Sequence, residues 1–327
     1  MTKPDIVESL ITAAGRRVEP PEDAYRQVYV AASAAFREKA ARRRQRRWFL
    51  GAAAAATLLL GIALVSNWNS PDLYGGALAE VERAIGGVEV AVGDEWQPVA
   101  GPRASLGTGR RLRTRADGRA ALAMAGGESL RLAGDTEIML DAPGRIYVQE
   151  GTVYVDSGAR PGRHLEFVTP AGTARDIGTQ FELQVGGGAL RLRVREGAVV
   201  IDRGGQSLTG KAGEQIAIDS LGGVSREAIS PDAPAWQWAE SIAPVPDMDG
   251  KPASTLISWV ARETGRELRY ESPLVERRAA RVILHGNIRH LPPLAALEAM
   301  LATTDLEYVL QGDTMEIRSR SANTPEP

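Results

Sequence analysis

The 327-residue sequence contains no cysteine. That excludes disulfides, thiol catalysis and thiolate-based zinc sites, and it is compatible with an oxidising compartment without requiring one. Histidine is scarce: His164, His285 and His290 are the full set. The last two stand five apart across an expected turn, which is poor spacing for metal ligands. Asp135 with Glu137, and Asp247 with Asp249, lack the dense acidic-glycine loop that calcium requires. No Ser-His-Asp arrangement can be assembled. Gly205-x4-Gly210-Lys211 approaches a phosphate-binding loop, but Ala212 stands where magnesium needs Ser or Thr. The run after it alternates like a strand, so a turn between strands is expected there. No catalytic residue, no cofactor, no metal and no enzymatic activity are expected.

Charge is missing from one long stretch. The nineteen residues from Trp48 to Ser66 carry none, and as a helix they would span roughly 30 Å, the thickness of a bilayer core. A signal peptide would lie at the extreme N-terminus, whereas 47 residues come first; a buried core helix would be shorter and polar on one face. A single transmembrane helix over 48–66 is the reading. Arg42, Arg43, Arg44, Arg46 and Arg47 crowd its N-terminal flank, and only Arg83 is basic between Asn67 and Val90. Positive residues stay cytoplasmic, so the N-terminus is expected inside and the bulk of the chain outside, in a bacterial periplasm. The net charge of −2 divides accordingly. Residues 1–47 hold eleven Lys or Arg against six Asp or Glu, +5, which leaves −7 for the rest. The membrane flank accounts for the basic residues, and no nucleic-acid partner is expected.

Past a segment at 77–85, helical periodicity is absent as far as Glu227. "LRTRADGRAALAMAGGESLRLAGDTEIMLD" predicts strands of four to six residues, with turns at Asp117-Gly118, Gly126-Gly127 and Gly134-Asp135. Such spacing indicates a sandwich, barrel or β-solenoid. "RIYVQEGTVYVD" (145–156) returns as "RLRVREGAVVID" (191–202), and "SLRLAGDTEIMLD" (129–141) returns more weakly as "SLTGKAGEQIAID" (207–219). Glu150-Gly151 and Glu196-Gly197 are expected at hairpin-type turns. The echoes suggest stacked sheet layers.

"TPAGTARDIGTQFELQV", "LRVREGAVVID" and "KAGEQIAI" together resemble the core signature of the FecR family of bacterial transmembrane regulators. Thr169, Pro170, Gly172, Gly178, Thr179, Phe181, Glu196, Gly197 and Gly213 stand at the family's spacing, and the resemblance covers roughly residues 80–220. These residues are expected to be structural: turn glycines, a proline that fixes an extended approach, a core phenylalanine.

"SPDAPAWQWAESIAPVPD" follows, with prolines at 231, 234, 244 and 246 that bar a long helix or a central strand. Trp236 and Trp238 are expected to pin it against a domain. "ASTLISWVARETGRELRY" then predicts a helix with Leu256, Ile257 and Val260 inward, stopped by Gly265. "RVILHG" predicts a strand, Pro292-Pro293 opens a helix, and Gly312-Asp313 turns a hairpin. The resulting order, strand–helix–strand–strand–helix–strand–strand, resembles a secretin/TonB N-terminal domain, with "ETG", "LHG" and "ATTDLEY" in recognisable places. The expected layout is a cytoplasmic helical segment 1–47, a transmembrane helix 48–66, a linker 67–79, a FecR-like β domain 80–229, a Pro/Trp linker 230–245, the α/β domain 246–320 and a tail 321–327.

Inside, Tyr25, Tyr29, Ala32 and Phe36 recur at i, i+4, i+7 and i+11 with Val28 at the edge, an apolar stripe on one helix face. Two readings stay open, helix packing or dimerisation within the segment and a docking face for a cytoplasmic partner. The family resemblance implies an extracytoplasmic-function sigma factor as that partner, and an outer-membrane or periplasmic signalling partner outside. One departure is plain: no Trp precedes Trp48, where the family's inside segment carries a Trp-containing signature. The expected function is a single-pass inner-membrane signal transducer regulating a sigma factor. The alternative is an anchored envelope scaffold with no cytoplasmic partner.

Overall fold

The computed structural model describes residues 76–99, 101, 103–158, 164–289 and 291–320, all within the compact unit Asp72–Pro327. The cytoplasmic segment with Tyr25, Val28, Tyr29, Ala32 and Phe36, the apolar run 48–66, most of the 67–79 linker, His290 and the tail lie outside the described residues. No helix among those described is long and apolar enough to cross a membrane.

The described chain is mainly β, as its alternation predicts. Its first strands are β1 (Ala79–Ile85), β2 (Val88–Val92), β3 (Glu95–Pro98), β4 (Ser105–Leu106), β5 (Arg111–Thr114) and β6 (Arg119–Met124). Next come β7 (Ser129–Leu132), β8 (Thr136–Ala142), β9 (Arg145–Asp156), β10 (Glu166–Thr169), β11 (Gly172–Asp176) and β12 (Gln180–Gly186). The series ends with β13 (Ala189–Glu196), β14 (Ala198–Arg203), β15 (Gln206–Lys211), β16 (Glu214–Ile218) and β17 (Val224–Ala228). They form two facing sheets. The first runs β4-β1-β6-β7-β9-β12-β13-β16-β17, antiparallel throughout. The second runs β3-β2-β5-β8-β9-β10-β11-β14-β15, antiparallel except for the parallel β9–β10 pair. Alternate residues from both sheets fill one apolar core, in which Phe167 and Phe181 meet edge to face at 5.6 Å.

The helical reading of 77–85 is corrected. The segment has good helix formers, but Ala79 and Val81 alternate into the core, and pairing with β4 and β6 outweighs local propensity. The hairpins expected at Glu150-Gly151 and Glu196-Gly197 are corrected as well. Residues 145–150 of β9 pair in the second sheet and 151–156 in the first, so the strand crosses between layers at Gly151. Gly197 makes the reverse crossing, from β13 to β14. Both glycines have positive φ, 102° and 78°, and a Cβ would come within 2.4 Å of Thr136 Cα or 2.6 Å of Gly178 O. The repeated sequence therefore encodes a layer-crossing corner, used in opposite directions.

Beyond the sandwich, a 3₁₀ turn (Pro234–Trp236) leads into the short α1 (Gln237–Ser241). Then follow β18 (Lys251–Pro252), α2 (Ala253–Glu263), β19 (Glu267–Tyr270), α3 (Pro273–Arg281), β20 (Ile283–Leu284), α4 (Pro293–Leu301), β21 (Leu306–Gln311) and β22 (Thr314–Ser319). Helices α2 and α4 pack together and bury Leu256, Ile257, Val260, Ala296 and Leu297, α2 against β19 and α4 against β21, in a second core that also takes Met315 and Ile317 of β22. The expected strand–helix order lacked α3. Its signals are local: the Ser272 hydroxyl accepts a hydrogen bond from Val275 N, Pro273 stands at the first helical position, and Arg278 and Arg281 complement the C-terminus.

Candidate functional site

The family-signature residues fall into two groups. Thr169 and Pro170 make the turn from β10 to β11; the Thr169 hydroxyl donates to Gly172 O at 2.7 Å and accepts from Ala171 N at 3.1 Å. Pro170 thus sits in the turn itself instead of fixing an extended approach to it. At the other end of β11, Gly178 and Thr179 lie against Gly197, with Phe181 fully buried beside them. Glu196 is exposed there, and Gly213 turns β15 into β16 at a φ of 80°. The phosphate-loop look-alike is ladder backbone. Gly210 and Lys211 pair with Val199 and Ala198, and a Cβ on Gly210 would meet Leu192 Cδ2 at 2.9 Å. His164 Nδ1 lies 3.0 Å from Asp176 O, and His285 Nδ1 lies 3.1 Å from Asp249 Oδ1. Among the described residues no three His, Asp or Glu side chains converge as a metal site would need.

The structure gathers a different set, on the outer face of the first sheet. Strand alternation points Arg131, Tyr154, Asp156, Gln180, Glu182, Arg193 and Arg195 away from the core. Arg131, Tyr154, Glu182 and Arg193 stand directly opposite one another across β7, β9, β12 and β13. Such residues belong in water, yet Arg131 is 1 % exposed, Tyr154 0 %, Glu182 2 % and Arg195 5 %. The cover is the strap Ser230–Pro246 and the C-terminal end of α2.

Each buried charge is matched. Arg131 grips Glu263 with two parallel bonds of 2.7 and 2.8 Å and donates to Ala239 O at 3.0 Å. Arg195 donates to Glu240 Oε1, Pro231 O and Glu263 O, all at 2.7 Å, and lies 4.8 Å over the Trp236 ring. Trp236 packs edge-on to Tyr154 at 6.2 Å, while Trp238 Nε1 donates to Glu182 Oε2 at 2.7 Å. Glu182 also pairs with Arg193 at 2.8 Å. Arg262 bonds Asp156 through Nε at 3.0 Å and through Nη2, and reaches Glu196 at 3.4 Å. Burial alone would raise the Asp156 pKa. The hydrogen bond and charge of Arg262, with the Gln180 amide and Gly158 N–H, outweigh it and hold the carboxyl below its ordinary value. Burial pushes the Tyr154 phenol up to about 12 against the pull of Arg195 and Arg131, and its hydroxyl has no hydrogen-bond partner.

Gly265 completes the fit. Read from the sequence as a helix stop, it has a φ of 64°, and a Cβ would lie 2.5 Å from Pro231 O and 2.6 Å from Arg195 Nε. One further bond ties the strap to the first strand, from Arg83 Nη1 on β1 to Ala243 O at 2.7 Å. Desolvating these ions offsets most of their attraction, so the network contributes orientation more than stability. Its chemistry is that of positioning.

Two crystal structures of a protein from Parabacteroides distasonis ATCC 8503, provisionally described as an anti-sigma factor, are similar to this chain at 16 % identity. They cover 64 % of this chain and 99 % of their own, with TM-scores of 0.36 and 0.35. No curated protein is a significant match. Residues 110–200, which supply Arg131, Tyr154, Asp156, Glu182, Arg193 and Arg195 to the junction, match the model of the family described as FecR protein.

Proposed function

We propose that this chain is a single-pass inner-membrane signal transducer of the FecR type, with residues 1–47 in the cytoplasm and the sandwich and α/β unit in the periplasm. The match of residues 110–200 to the FecR protein family carries the reading. The arginine-flanked apolar run 48–66 supplies an anchor and an orientation. In this reading residues 246–320 are a secretin/TonB N-terminal-like receiver for an outer-membrane or periplasmic signalling partner. Tyr25, Val28, Tyr29, Ala32 and Phe36 dock on an extracytoplasmic-function sigma factor. The junction suggests the relay. Helix α2 docks the α/β unit on the sandwich, and Arg83 ties the strap beside it to β1, the first of the described strands.

Burying Tyr29 and Phe36 at an interface would contribute about 1.5–3 kcal/mol each. Tyr29→Asp with Phe36→Asp should therefore abolish co-purification of the sigma factor with the full-length chain, while a reporter fused after residue 75 stays periplasmic. A cytoplasmic reporter would end the reading. A wild-type chain that recovers no sigma factor from cells expressing the cognate candidate would favour an envelope scaffold instead.

A further inference from the structure

Helix α2 ends on two consecutive residues of opposite charge, Arg262 and Glu263, and each meets a socket of the opposite sign on the sandwich. Glu263 enters Arg131, while Arg262 enters Asp156 and Glu196. Apolar contact does little of the holding. The cores of the sandwich and the α/β unit share no residue, and the cluster between them consists of Tyr154, Trp236 and Ala239 with Ile229, Ala233 and Trp238, none of them from α2. Were α2 to leave, neither arginine would be stranded. Arg131 keeps Ala239 O, and Arg195 keeps Glu240 and Pro231 O, all from the strap. Solvent already reaches one side through an open cleft of about 320 Å³ bounded in part by Glu196, Arg262 and Arg266. Arg266, just past α2, adds one more ionic contact, Nη2 to Asp232 of the strap at 3.3 Å, which opening would likewise exchange for water. Residues 244–247, at the end of the strap, have neither helix nor strand and include Pro244 and Pro246.

We infer that Arg262 and Glu263 form a two-pronged ionic latch that releases the α/β unit from the sandwich as a rigid body, with the Trp236 strap left in place. Opening uncovers the sockets, Arg131 with Arg195 and Asp156 with Glu196, and breaks no apolar core. An apolar junction would resist such release, whereas matched charges exchange for water and hold one orientation when closed. The inference stands on the junction alone and is independent of the sigma-factor reading.

The absence of native cysteine makes the test clean. Spin labels on cysteines placed at the exposed positions Gln206 and Asp313 of the full-length chain in detergent report the separation of sandwich and α/β unit. The wild type should show one dominant distance. Arg262→Glu should raise the open-to-closed ratio about tenfold or more, and adding Asp156→Arg should return it toward the wild-type value. Amide exchange in β12 and in β22 should stay slow in all three, since neither core is touched. The inference is overturned if Arg262→Glu leaves the distance distribution unchanged or if Asp156→Arg fails to restore it. It is equally overturned if exchange in both cores accelerates together, which would make the junction part of one cooperative core.

Discussion

Replacing Tyr154 by Phe removes a single oxygen from a fully enclosed aromatic of the junction and should stabilise the protein. The hydroxyl is buried and bonds to nothing, so folding of the strap over it strips it of water without compensation. A buried, unsatisfied polar group of this kind costs about 1–3 kcal/mol. The contacts that hold the ring survive the change: Arg131 5.0 Å over its face and Trp236 at its edge. At roughly 2–4 °C per kcal/mol for a unit of this size, the Tm should rise by several degrees. The sign also has a pH signature. Because the folded phenol is pushed up to about 12, the unfolded chain releases this proton first. Its contribution is full below about pH 10 and is lost as pH rises toward 12. Thermal melts of the full-length chain from pH 7 to 11 should therefore find the Tyr154→Phe advantage widening above pH 10. In alkaline ultraviolet titration, the last tyrosine to ionise should be missing from the variant. A Tm lowered by more than 2 °C at pH 7 would mean that the hydroxyl has a partner, and the account of the junction would be wrong.

Phe181→Ala should cost about 3–5 kcal/mol, since the ring is fully buried against Phe167 at the centre of the sandwich, and a denaturation midpoint checks it. Gly265→Ala should weaken docking of α2 without unfolding either core, because both its φ and the 2.5 Å approach to Pro231 O oppose a side chain; spin-label distances should broaden while amide exchange in β12 stays slow. Asp156, held below its ordinary value, contributes stability that is present above about pH 4 and lost as pH falls through its lowered native pKa. Acid should therefore open the junction before the sandwich unfolds, and Asp156→Asn should flatten that pH dependence.

The strands were legible because their signal is local, whereas the choice among sandwich, barrel and β-solenoid rests on long-range pairing. Alternating runs and glycine turns announce strands, and the helix 253–263 shows Leu256, Ile257 and Val260 at helical spacing before Gly265. Sequence and structure part where one local pattern serves two geometries. Glu-Gly between two alternating runs fits a hairpin as well as a layer crossing, and only the pairing partners of β9 and β13 decide between them. The short α3 was written in its cap, where Ser272 and Pro273 outweigh a weakly apolar face.

The junction was illegible for a different reason. Arg131, Tyr154, Glu182 and Arg195 occupy outward strand positions, where alternation assigns them to solvent. Arg131 finds Glu263 132 residues later, and nothing in the periodicity of either segment anticipates a cover. A trace was present all the same: a large aromatic and several arginines at outward positions, followed by a proline-rich segment with two tryptophans too short to bury them by itself. Trp236 has no core of its own and lies against Tyr154 and Arg195. Of the signature residues, Glu196 alone reaches this site, through Arg262. The turn glycines and Phe181 build the corner that presents Arg195 and Glu196 to α2. The familiar motif is thus a scaffold, and the less conspicuous arginines beside it determine how the α/β unit is held.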